Sequence, residues 1–450
     1  MSDDGKLLGV VILTRHGDRE GYYQDPKTYT SKDTAITPLG SQQEYQLGQY
    51  LRSRYLNSSS SSFISGVNAS VADDDQIKIR ADGGGEGGVI FNSALSMLQG
   101  LFPPTRQYNT TLANGTMVVG PLSGYQTVPI ESVDSEENIS LEGWVDCNTF
   151  TNNTKALYAS SAFAQKEEEA ASFLSDVSPY VGGRPTSLEN MWNIFDYLNV
   201  QSIHNATFAA ALPDGYLVRA RDFANWLQFN VFSSPEIDGV GNIPGRTMVS
   251  SILDGVASIV DSSDPLKIRY EGISYKPFIS LFQMIGAVEA NLQLAGIVNY
   301  AAAIAFEVRS PTDGGEPTIR LQFKNGSEEA TFTEYEFMGT RDVPMSAFVQ
   351  TLAPVGVNDT TAWCHVCSNT ETRGCQYLVA AQAAGVNSVK LPKIGSIGAG
   401  FLGAGLALLL ALGVFGVLVF IGVLTVRPKR KPAAKGSVHG SDTESQPEKY

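Results

Sequence analysis

Hydrophobic residues near the N-terminus follow two different patterns, one after the other. Residues 7–13 (LLGVVIL) form an almost continuous apolar run, which is typical of a strand buried on both faces of a parallel sheet. From Thr37 to Tyr55 the apolar residues instead recur at helical spacing, and Thr37 followed by Pro38 makes a suitable helix start. The pattern therefore predicts a strand, a loop and a helix.

The same order is then repeated. Residues 76–79 predict a second strand ending at Arg80, the glycine-rich residues 82–88 predict a loop, and the apolar residues 89–101 predict a helix. Strands that alternate with helices favour a sheet with helices on both faces. We therefore predict an α/β fold with a doubly wound sheet.

The middle of the chain changes to a polar, mostly helical pattern. The clearest helices between residues 106 and 250 are at 156–171 and 188–198. Core-like apolar segments then return, at 266–270, 279–294, 300–308 and 317–323. We expect a discontinuous α/β domain of residues 1–105 and 251–390, with an inserted α-helical cap at 106–250.

Residues 394–426 carry no charged side chain and lie between Lys393 and Arg427. The segment exceeds the ~20 apolar residues that a bilayer core requires. A buried core helix would rarely run so long without a polar face. We therefore predict one transmembrane helix at 394–426, followed by a basic, disordered tail at 427–450.

The flanking charges predict the orientation of that helix. From Arg427 onward there are 6 Lys and Arg against 3 Asp and Glu, which places the tail in the cytosol and the body in the lumen or outside the cell. The membrane would be the plasma membrane or another membrane of the secretory pathway. The first residues, MSDDGKLL, do not resemble a signal peptide, so either this sequence lacks its export signal or the topology is unusual; the sequons, cysteines and flanking charges favour a missing signal.

Sequons support the same topology and predict a glycoprotein. Nine N-x-Ser/Thr sites precede the apolar segment, at Asn57, Asn68, Asn109, Asn114, Asn138, Asn152, Asn205, Asn325 and Asn358.

The body is strongly acidic. Before Arg427 there are 26 Lys and Arg against 43 Asp and Glu. Binding to nucleic acid depends largely on neutralising phosphates with basic side chains, so this balance argues against a nucleic-acid partner. An anionic substrate would need a local basic cluster that works against the overall field.

The candidate chemistry lies in Arg15-His16-Gly17-Asp18-Arg19, which follows the first predicted strand. The carboxyl ends of parallel strands are where α/β folds bind ligands. A neutral imidazole can attack phosphorus, and flanking arginines can bind phosphoryl oxygens bidentately. Alternatively, Arg15 and Arg19 pair with acidic residues and His16 is an ordinary loop histidine.

Beyond this signature, the chain resembles the histidine acid phosphatase branch of the histidine phosphatase (phosphoglycerate mutase-like) superfamily, in particular fungal, membrane-anchored members. The resemblance covers most of residues 7–380 and rests on VVILTRHGDRE…TAITPLGSQQEYQLGQYLRSRY, IRADGGGEGGVIFNSALSMLQGLFPP and NMWNIFDYLNVQSIHN. It implies an active site between the α/β domain and the cap. It also implies hydrolysis of phosphate monoesters through a phosphohistidine, without a metal or other cofactor.

The resemblance assigns roles to four residues. His16 matches the nucleophile, and Arg15 and Arg19 match two phosphate-binding arginines. Arg80 falls near the site loop and is a further substrate-binding candidate, or else a surface salt-bridge partner.

Three departures weaken this match. Glu20-Gly21 replaces an x-Pro pair, and Gly88-Val89 stands where a further phosphate-binding arginine is expected. The family's His-Asp pair, which the resemblance assigns to phosphate binding and to protonation of the leaving alcohol, is missing from residues 270–276. Losing such an acid costs about 10²–10⁴-fold in rate.

Substitutes for the missing groups are weak candidates. Glu271 or Asp82 could serve as the proton donor and Lys276 as a phosphate-binding cation. The alternative is that Glu271 and Lys276 are solvated loop charges.

The cysteines admit two interpretations. Cys364, His365, Cys367 and Cys375 lie close together in sequence, as zinc ligands can. An even count of four, with Cys147, in an oxidising compartment favours disulfides, whose pairing stays open. His204 is expected to be structural in the cap, and His439 lies in the tail.

The sequence therefore predicts a histidine acid phosphatase-like protein that acts on a phosphate monoester or another small anion, with impaired catalysis at His16. The alternative is a pseudophosphatase that retains Arg15, His16 and Arg19 as an anion-binding pocket and serves as an extracellular binding or signalling module. A membrane-tethered structural glycoprotein is the third hypothesis.

Overall fold

The computed structural model describes residues 5–383, except for 22, 31–33, 84–87, 134–137 and 312–313. The predicted transmembrane helix at 394–426 and the tail at 427–450 lie outside the described residues. Within the described part, no helix combines the length and the apolar character needed to cross a bilayer.

The described strands form a mixed sheet and a small hairpin. Their bounds are β1 (Leu7–Arg15), β2 (Ile77–Asp82), β3 (Asn109–Thr111), β4 (Met117–Val119), β5 (Glu131–Val133), β6 (Ile268–Ile273), β7 (Ala303–Arg309), β8 (Thr318–Lys324), β9 (Thr333–Tyr335) and β10 (Asp342–Pro344). The sheet order is β10-β8-β7-β1-β6-β2-β5, with β9 on β8, while β3 pairs only with β4.

The described helices are distributed along the chain between the strands and after β10. They are α1 (Pro38–Leu51), α2 (Val89–Leu101), α3 (Pro121–Gly124), α4 (Asn148–Tyr158), α5 (Ser161–Val177), α6 (Met191–His204), α7 (Ala206–Ala211), α8 (Tyr216–Phe232), α9 (Ile243–Val260), α10 (Lys276–Met284), α11 (Ala287–Ala290), α12 (Met345–Leu352), α13 (Thr360–Val366) and α14 (Cys375–Ala383). A π-helical turn at Arg52–Leu56 extends α1.

The doubly wound sheet of the sequence analysis is corrected to a mixed sheet. Strands β1, β6, β2 and β5 are parallel, whereas β7 runs antiparallel to β1 and β8 runs antiparallel to β7. The reason is the short connection between β7 and β8, since a parallel pair would need a long crossover. The α/β class itself is confirmed.

Strand β1 lies in the centre of the sheet and separates two hydrophobic cores. Val10 and Ile12 face one core, with Leu47 of α1 and Met97 of α2. Val11 and Leu13 face the other, with α9 and the helices of the middle segment. All four strand side chains are at most 1% exposed, as expected for the continuous apolar run.

Helices α1 and α2 approach each other closely where both lack side chains. A Cβ atom on Gly48 would lie 2.0 Å from the carbonyl oxygen of Met97, and one on Gly100 would lie 2.1 Å from that of Tyr45. These glycines therefore set the distance between the two helices, because any larger residue would push them apart.

Two predicted helices are interrupted. The segment 156–171 divides at Ser160, whose hydroxyl accepts a hydrogen bond from the Phe163 amide and caps α5. The segment 279–294 divides at Gly286, where φ is +69°. The helical spacing of apolar residues continues through both breaks, so the sequence pattern did not predict them.

The middle segment contributes to both layers. Strand β5 and helix α9 lie within or across the predicted 106–250 range, yet β5 pairs with β2 and α9 packs on β1. Helices α4 to α8 build the helical region beside them. The exact limits of the predicted domains stay a prediction.

The cysteine question resolves in favour of disulfides. Cys147 bonds to Cys367 and Cys364 bonds to Cys375, so none of the four is free. In the described part of the chain, no cluster of His, Cys, Asp and Glu is arranged to hold a metal ion. The first disulfide ties the start of α4 to the end of α13.

The two disulfides should contribute unequally to stability. They join residues 220 and 11 positions apart, and closing these loops in the unfolded chain accounts for about 5 and about 3 kcal/mol in the chain-entropy model. We expect Cys147→Ser/Cys367→Ser to lower the free energy of unfolding more than Cys364→Ser/Cys375→Ser. Urea unfolding of both double variants measures this, and equal losses would contradict it.

Candidate active site

The Arg15–Arg19 segment, here called the signature loop, leaves the sheet at the carboxyl end of β1. Gly17 packs against the start of α1, where a Cβ atom would lie 2.4 Å from the Gly40 carbonyl oxygen. A Cβ on Gly40 would in turn lie 2.0 Å from the Asp18 carbonyl oxygen. The loop can therefore contact α1 only because both positions are glycine.

Hydrogen bonds complete this contact. The Asp18 amide donates to Gln43 Oε1 at 2.9 Å, and the Gly17 amide donates to Ser93 Oγ of α2 at 3.1 Å. The Thr37 hydroxyl caps α1 by accepting from the Gly40 amide, as predicted, and donates to Asp18 Oδ2 at 2.5 Å.

His16 is 1% exposed, and its Nδ1 lies 2.7 Å from the Gly17 carbonyl oxygen. A carbonyl can only accept, so Nδ1 carries a proton, and in the neutral imidazole the lone pair lies on Nε2. The Tyr300 ring lies beside the imidazole, with 5.6 Å between ring centroids. This tautomer leaves Nε2 as the nucleophilic atom of the neutral ring.

The two signature arginines have different environments. Arg19 is fully buried and binds Asp196 of α6 bidentately, at 2.8 and 3.4 Å. Arg15 donates instead to the Val298 carbonyl, and its guanidinium carbon lies 4.5 Å from the Tyr300 ring centroid. Among the described residues, the alternative of pairing with acidic residues therefore holds for Arg19 and not for Arg15.

Arg15 lines a cavity of about 280 Å³ between the sheet and the helical region. Its walls come from the end of β1, from α1, α6 and α8, from the segment before β7 and from the β8–β9 loop. They include Arg15, Trp192, Asp196, Arg221, Tyr300 and Glu328. Within the described residues, the Nε atom of Arg15 has no hydrogen-bond acceptor. A buried donor at the edge of a cavity favours an anionic ligand there.

His204, expected to be structural, lies against the signature loop. Its Nε2 is 2.8 Å from Asp18 Oδ2, although 186 positions separate the two residues. His204 ends α6, so this contact joins the helical region to the loop. Asp18 itself is fully buried.

Arg80 lies on a neighbouring strand and has protein partners. Its Nε is 3.4 Å from Glu131 Oε1, and its Nη1 is 3.4 Å from Ser251 Oγ. These contacts match the salt-bridge alternative of the sequence analysis. A substrate contact by Arg80 stays a prediction.

The two candidate proton donors lie at different positions along the direction of the parallel strands. Glu271 is fully buried, binds Arg269 at 2.8 Å and pairs in register with Leu13, two residues before Arg15. Burial raises the pKa of Glu271, while Arg269 and Arg80 oppose this. Asp82 ends β2 at the carboxyl edge of the sheet and is 1% exposed.

Residues after β6 replace the missing His-Asp pair by aromatic packing. The Tyr275 hydroxyl donates to Gln228 Oε1 at 2.7 Å, and its ring stacks on Trp192 at an interplanar angle of 12°. Arg15 lies 5.3 Å from the same ring. Lys276, raised as a phosphate cation, is buried with its Nζ 4.8 Å from the Trp144 ring.

Asp196, Arg221 and Tyr300 were missed by the sequence analysis. Each lies far from the signature in sequence, on α6, α8 and the segment before β7. No local spacing links them to His16, so only the folded chain brings them to the cavity. For Asp196 and Arg221, a position on a helical segment was the one available signal.

Known proteins are similar to this chain in sequence. A family model described as "Histidine phosphatase superfamily (branch 2)" matches residues 6–229. Prostatic acid phosphatase of Mus musculus is 22% identical over 382 residues, which cover 82% of this chain and 91% of that protein. Lysosomal acid phosphatase of Xenopus laevis is 22% identical over 383 residues, covering 82% and 81%.

Solved structures of low identity share the fold. The apo phytase of Hafnia alvei gives a TM-score of 0.55 at 12% identity, covering 81% of this chain and 99% of that chain. The phytase from Citrobacter braakii gives 0.54 at 12%, covering 80% and 99%.

Glu44 is a further buried acid, one residue after Gln43 on α1. It is fully buried, and within the described residues neither carboxyl oxygen has a hydrogen-bond partner. Burial raises its pKa well above the usual range, and Lys324 opposes this only in part. Burial therefore favours the neutral acid form of Glu44 over its carboxylate.

A raised pKa makes stability depend on pH. Below the unfolded pKa both states are protonated; above it the unfolded chain releases its proton first, so stability falls as pH rises toward the folded pKa. We expect Glu44→Gln to match the parent near pH 4 and to be more stable at pH 7.5, by about 1.4 kcal/mol per unit of pKa shift.

Urea unfolding at the two pH values tests this, with the exposed Glu168→Gln as the control. A Glu44→Gln variant that shows the same loss between pH 4 and pH 7.5 as the parent would contradict it.

Proposed function

The chain belongs to branch 2 of the histidine phosphatase superfamily, and from this premise we propose that it hydrolyses phosphate monoesters through a phosphohistidine at His16. One observation carries the proposal. The Nδ1 proton of His16 is held by the Gly17 carbonyl, which leaves Nε2 of the neutral ring as the nucleophile, and His16, Arg15 and Arg19 all lie around the Tyr300 ring. The acid phosphatases and phytases named above support the same reaction class.

The reaction would proceed in two displacements. Nε2 of His16 attacks phosphorus, an N–P bond forms, and the bond from phosphorus to the leaving oxygen breaks. Water then attacks the phosphohistidine, releases inorganic phosphate and restores the imidazole. Arg15 would bind the phosphoryl oxygens through its Nε, and Arg19, oriented by Asp196, would offset charge in the transition state.

The proposed reaction also needs a proton donor for the leaving group. We propose Asp82 as the donor, since it lies at the carboxyl edge of the sheet, whereas Glu271 lies at a lower level and is bound by Arg269. Without the family's His-Asp pair, hydrolysis of alkyl esters would be impaired and hydrolysis of aryl esters much less so.

The proposed cellular location rests on features of the part of the chain that precedes residue 394. Two disulfides and the exposed side chains of seven of the nine sequon asparagines support a lumenal or extracellular body. The lysosomal and prostatic relatives support a secretory route. A single-pass anchor at 394–426, with a cytosolic tail, completes the proposal and rests on its uncharged sequence.

A pseudophosphatase remains the second candidate. The observation that favours it is the bidentate Arg19–Asp196 pair, which occupies one signature arginine with a carboxylate. Tyr275 also packs against Arg15 where the resemblance expects phosphate-binding chemistry. In this role the pocket binds an anion without turning it over.

Replacing His16 separates the two candidates. We expect the full chain to release phosphate from p-nitrophenyl phosphate and His16→Ala to lower the rate by at least 10³-fold, because the nucleophile is lost. His365→Ala, on the exposed side of α13, is the matched control and should retain the parent rate. Phosphate binding without any turnover would sink the enzyme proposal and leave the binding role.

Asp82→Asn and Glu271→Gln test the proton donor. A donor acts most on poor leaving groups, so we expect Asp82→Asn to lower the alkyl-to-aryl rate ratio about 10²-fold, and Glu271→Gln to leave this ratio within about twofold. Glycerol 2-phosphate and p-nitrophenyl phosphate serve as the two substrates. The ratio is independent of how much protein folds, so the opposite ranking would assign the role to Glu271.

A further inference from the structure

Two arginines from distant parts of the chain line the same cavity. Arg15 ends β1, and Arg221 lies in the first half of α8. Arg15 donates to the Val298 carbonyl, and Arg221 Nη2 donates to the adjacent Ile297 carbonyl at 2.9 Å. Consecutive carbonyls of one backbone segment therefore hold both guanidinium groups at the cavity wall.

This arrangement places like charges together. Burial and the positive charge of Arg15 both lower the pKa of Arg221. In the described part of the chain, neither Arg15 nor Arg221 has a carboxylate within salt-bridge distance. Two half-desolvated cations facing one cavity are unfavourable in the empty state and become favourable when anions bind.

The proposed reaction uses only one of these cations beside His16. Arg15 belongs to the signature loop and would bind the ester phosphate, whereas Arg221 comes from α8. Its guanidinium carbon lies 5.8 Å from the ring centroid of Phe195, which also lines the cavity. Arg221 is thus placed for a group other than the reacting phosphoryl.

We propose that Arg221 is a specificity-determining residue that binds a second anionic group of the substrate, so that the site prefers small phosphate monoesters carrying one further carboxylate or phosphate. The inference rests on the proposed function, because it assumes that Arg15 receives the ester phosphate. The arginine that the sequence lacks at the start of α2 is not restored at that place. Arg221 supplies positive charge from the helical region instead.

Size and charge limit the ligand. A cavity of about 280 Å³ is at the lower end of the range for small-molecule sites. Two carboxylates, Asp196 and Glu328, share its walls, and Asp196 is already bound to Arg19. These carboxylates oppose ligands with many negative charges, so the site suits two anionic groups better than six.

Non-hydrolysable ligands test the inference without requiring turnover. Phenylphosphonate and 3- and 4-carboxyphenylphosphonate differ only in the second anionic group and its position. We expect the full chain to bind the better carboxylated isomer at least tenfold more tightly than phenylphosphonate in calorimetry, since hydrogen bonds to charged groups are among the stronger ones.

Variants on one helix provide the control. Arg221→Gln should reduce that preference to about onefold, and Arg221→Lys should retain part of it because the charge remains. Arg219→Gln removes the same charge two residues earlier, at an exposed site over the Phe173 ring, and should keep the parent preference.

The outcomes distinguish this inference from the proposed function. No preference in the parent, or a preference that survives in Arg221→Gln, overturns the role of Arg221. Failure of the parent to bind any of the three phosphonates overturns it as well. Selective binding that depends on Arg221, without hydrolysis of the matching aryl phosphates, supports the inference and overturns only the proposed function.

Discussion

The buried carboxylate of Asp18 is the contact on which the arrangement of the site depends. It accepts a hydrogen bond from Thr37, which caps α1, and lies 2.8 Å from His204, which ends α6. One side chain thus connects the signature loop, the sheet domain and the helical region. The glycine contact between Gly17 and Gly40 brings the loop close enough for these bonds to form. Because Asp18 is fully buried, losing either partner would leave a charged group inadequately solvated.

The helical region does more than cover the site, because it supplies part of the chemistry. Asp196 and His204 come from α6, and Arg221 comes from α8. Asp196 orients Arg19, whereas Arg15 is oriented by a backbone carbonyl and by the Tyr300 ring. Among the described residues, one signature arginine is therefore paired with a carboxylate, and the other contacts a backbone carbonyl and two aromatic rings. Under the proposed function, this asymmetry is what gives a strongly acidic chain a local cation for an anionic ligand.

Catalytic capacity in this fold depends on matching a nucleophile with an acid. The His16 side is well defined, since its tautomer follows from one hydrogen bond to its neighbouring carbonyl. On the acid side, Tyr275 fills space with aromatic packing, and the nearby carboxyl groups differ in their level along the sheet. Under the proposed function, the site would act on good leaving groups, and hydrolysis of alkyl esters would depend on Asp82, which ends β2 at the carboxyl edge of the sheet.

Sequence alone determined the features that depend on neighbouring residues. The apolar run at 7–13, the Thr37 cap and the helix at 89–101 were predicted because strand burial, capping and helical spacing are local properties. The signature around His16 was readable for the same reason. Tertiary structure alone decided the mixed sheet, the disulfide pairing and the partners of the signature loop. Asp196 and His204 lie 177 and 186 positions from Arg19 and Asp18, and no local pattern encodes contacts at such separations.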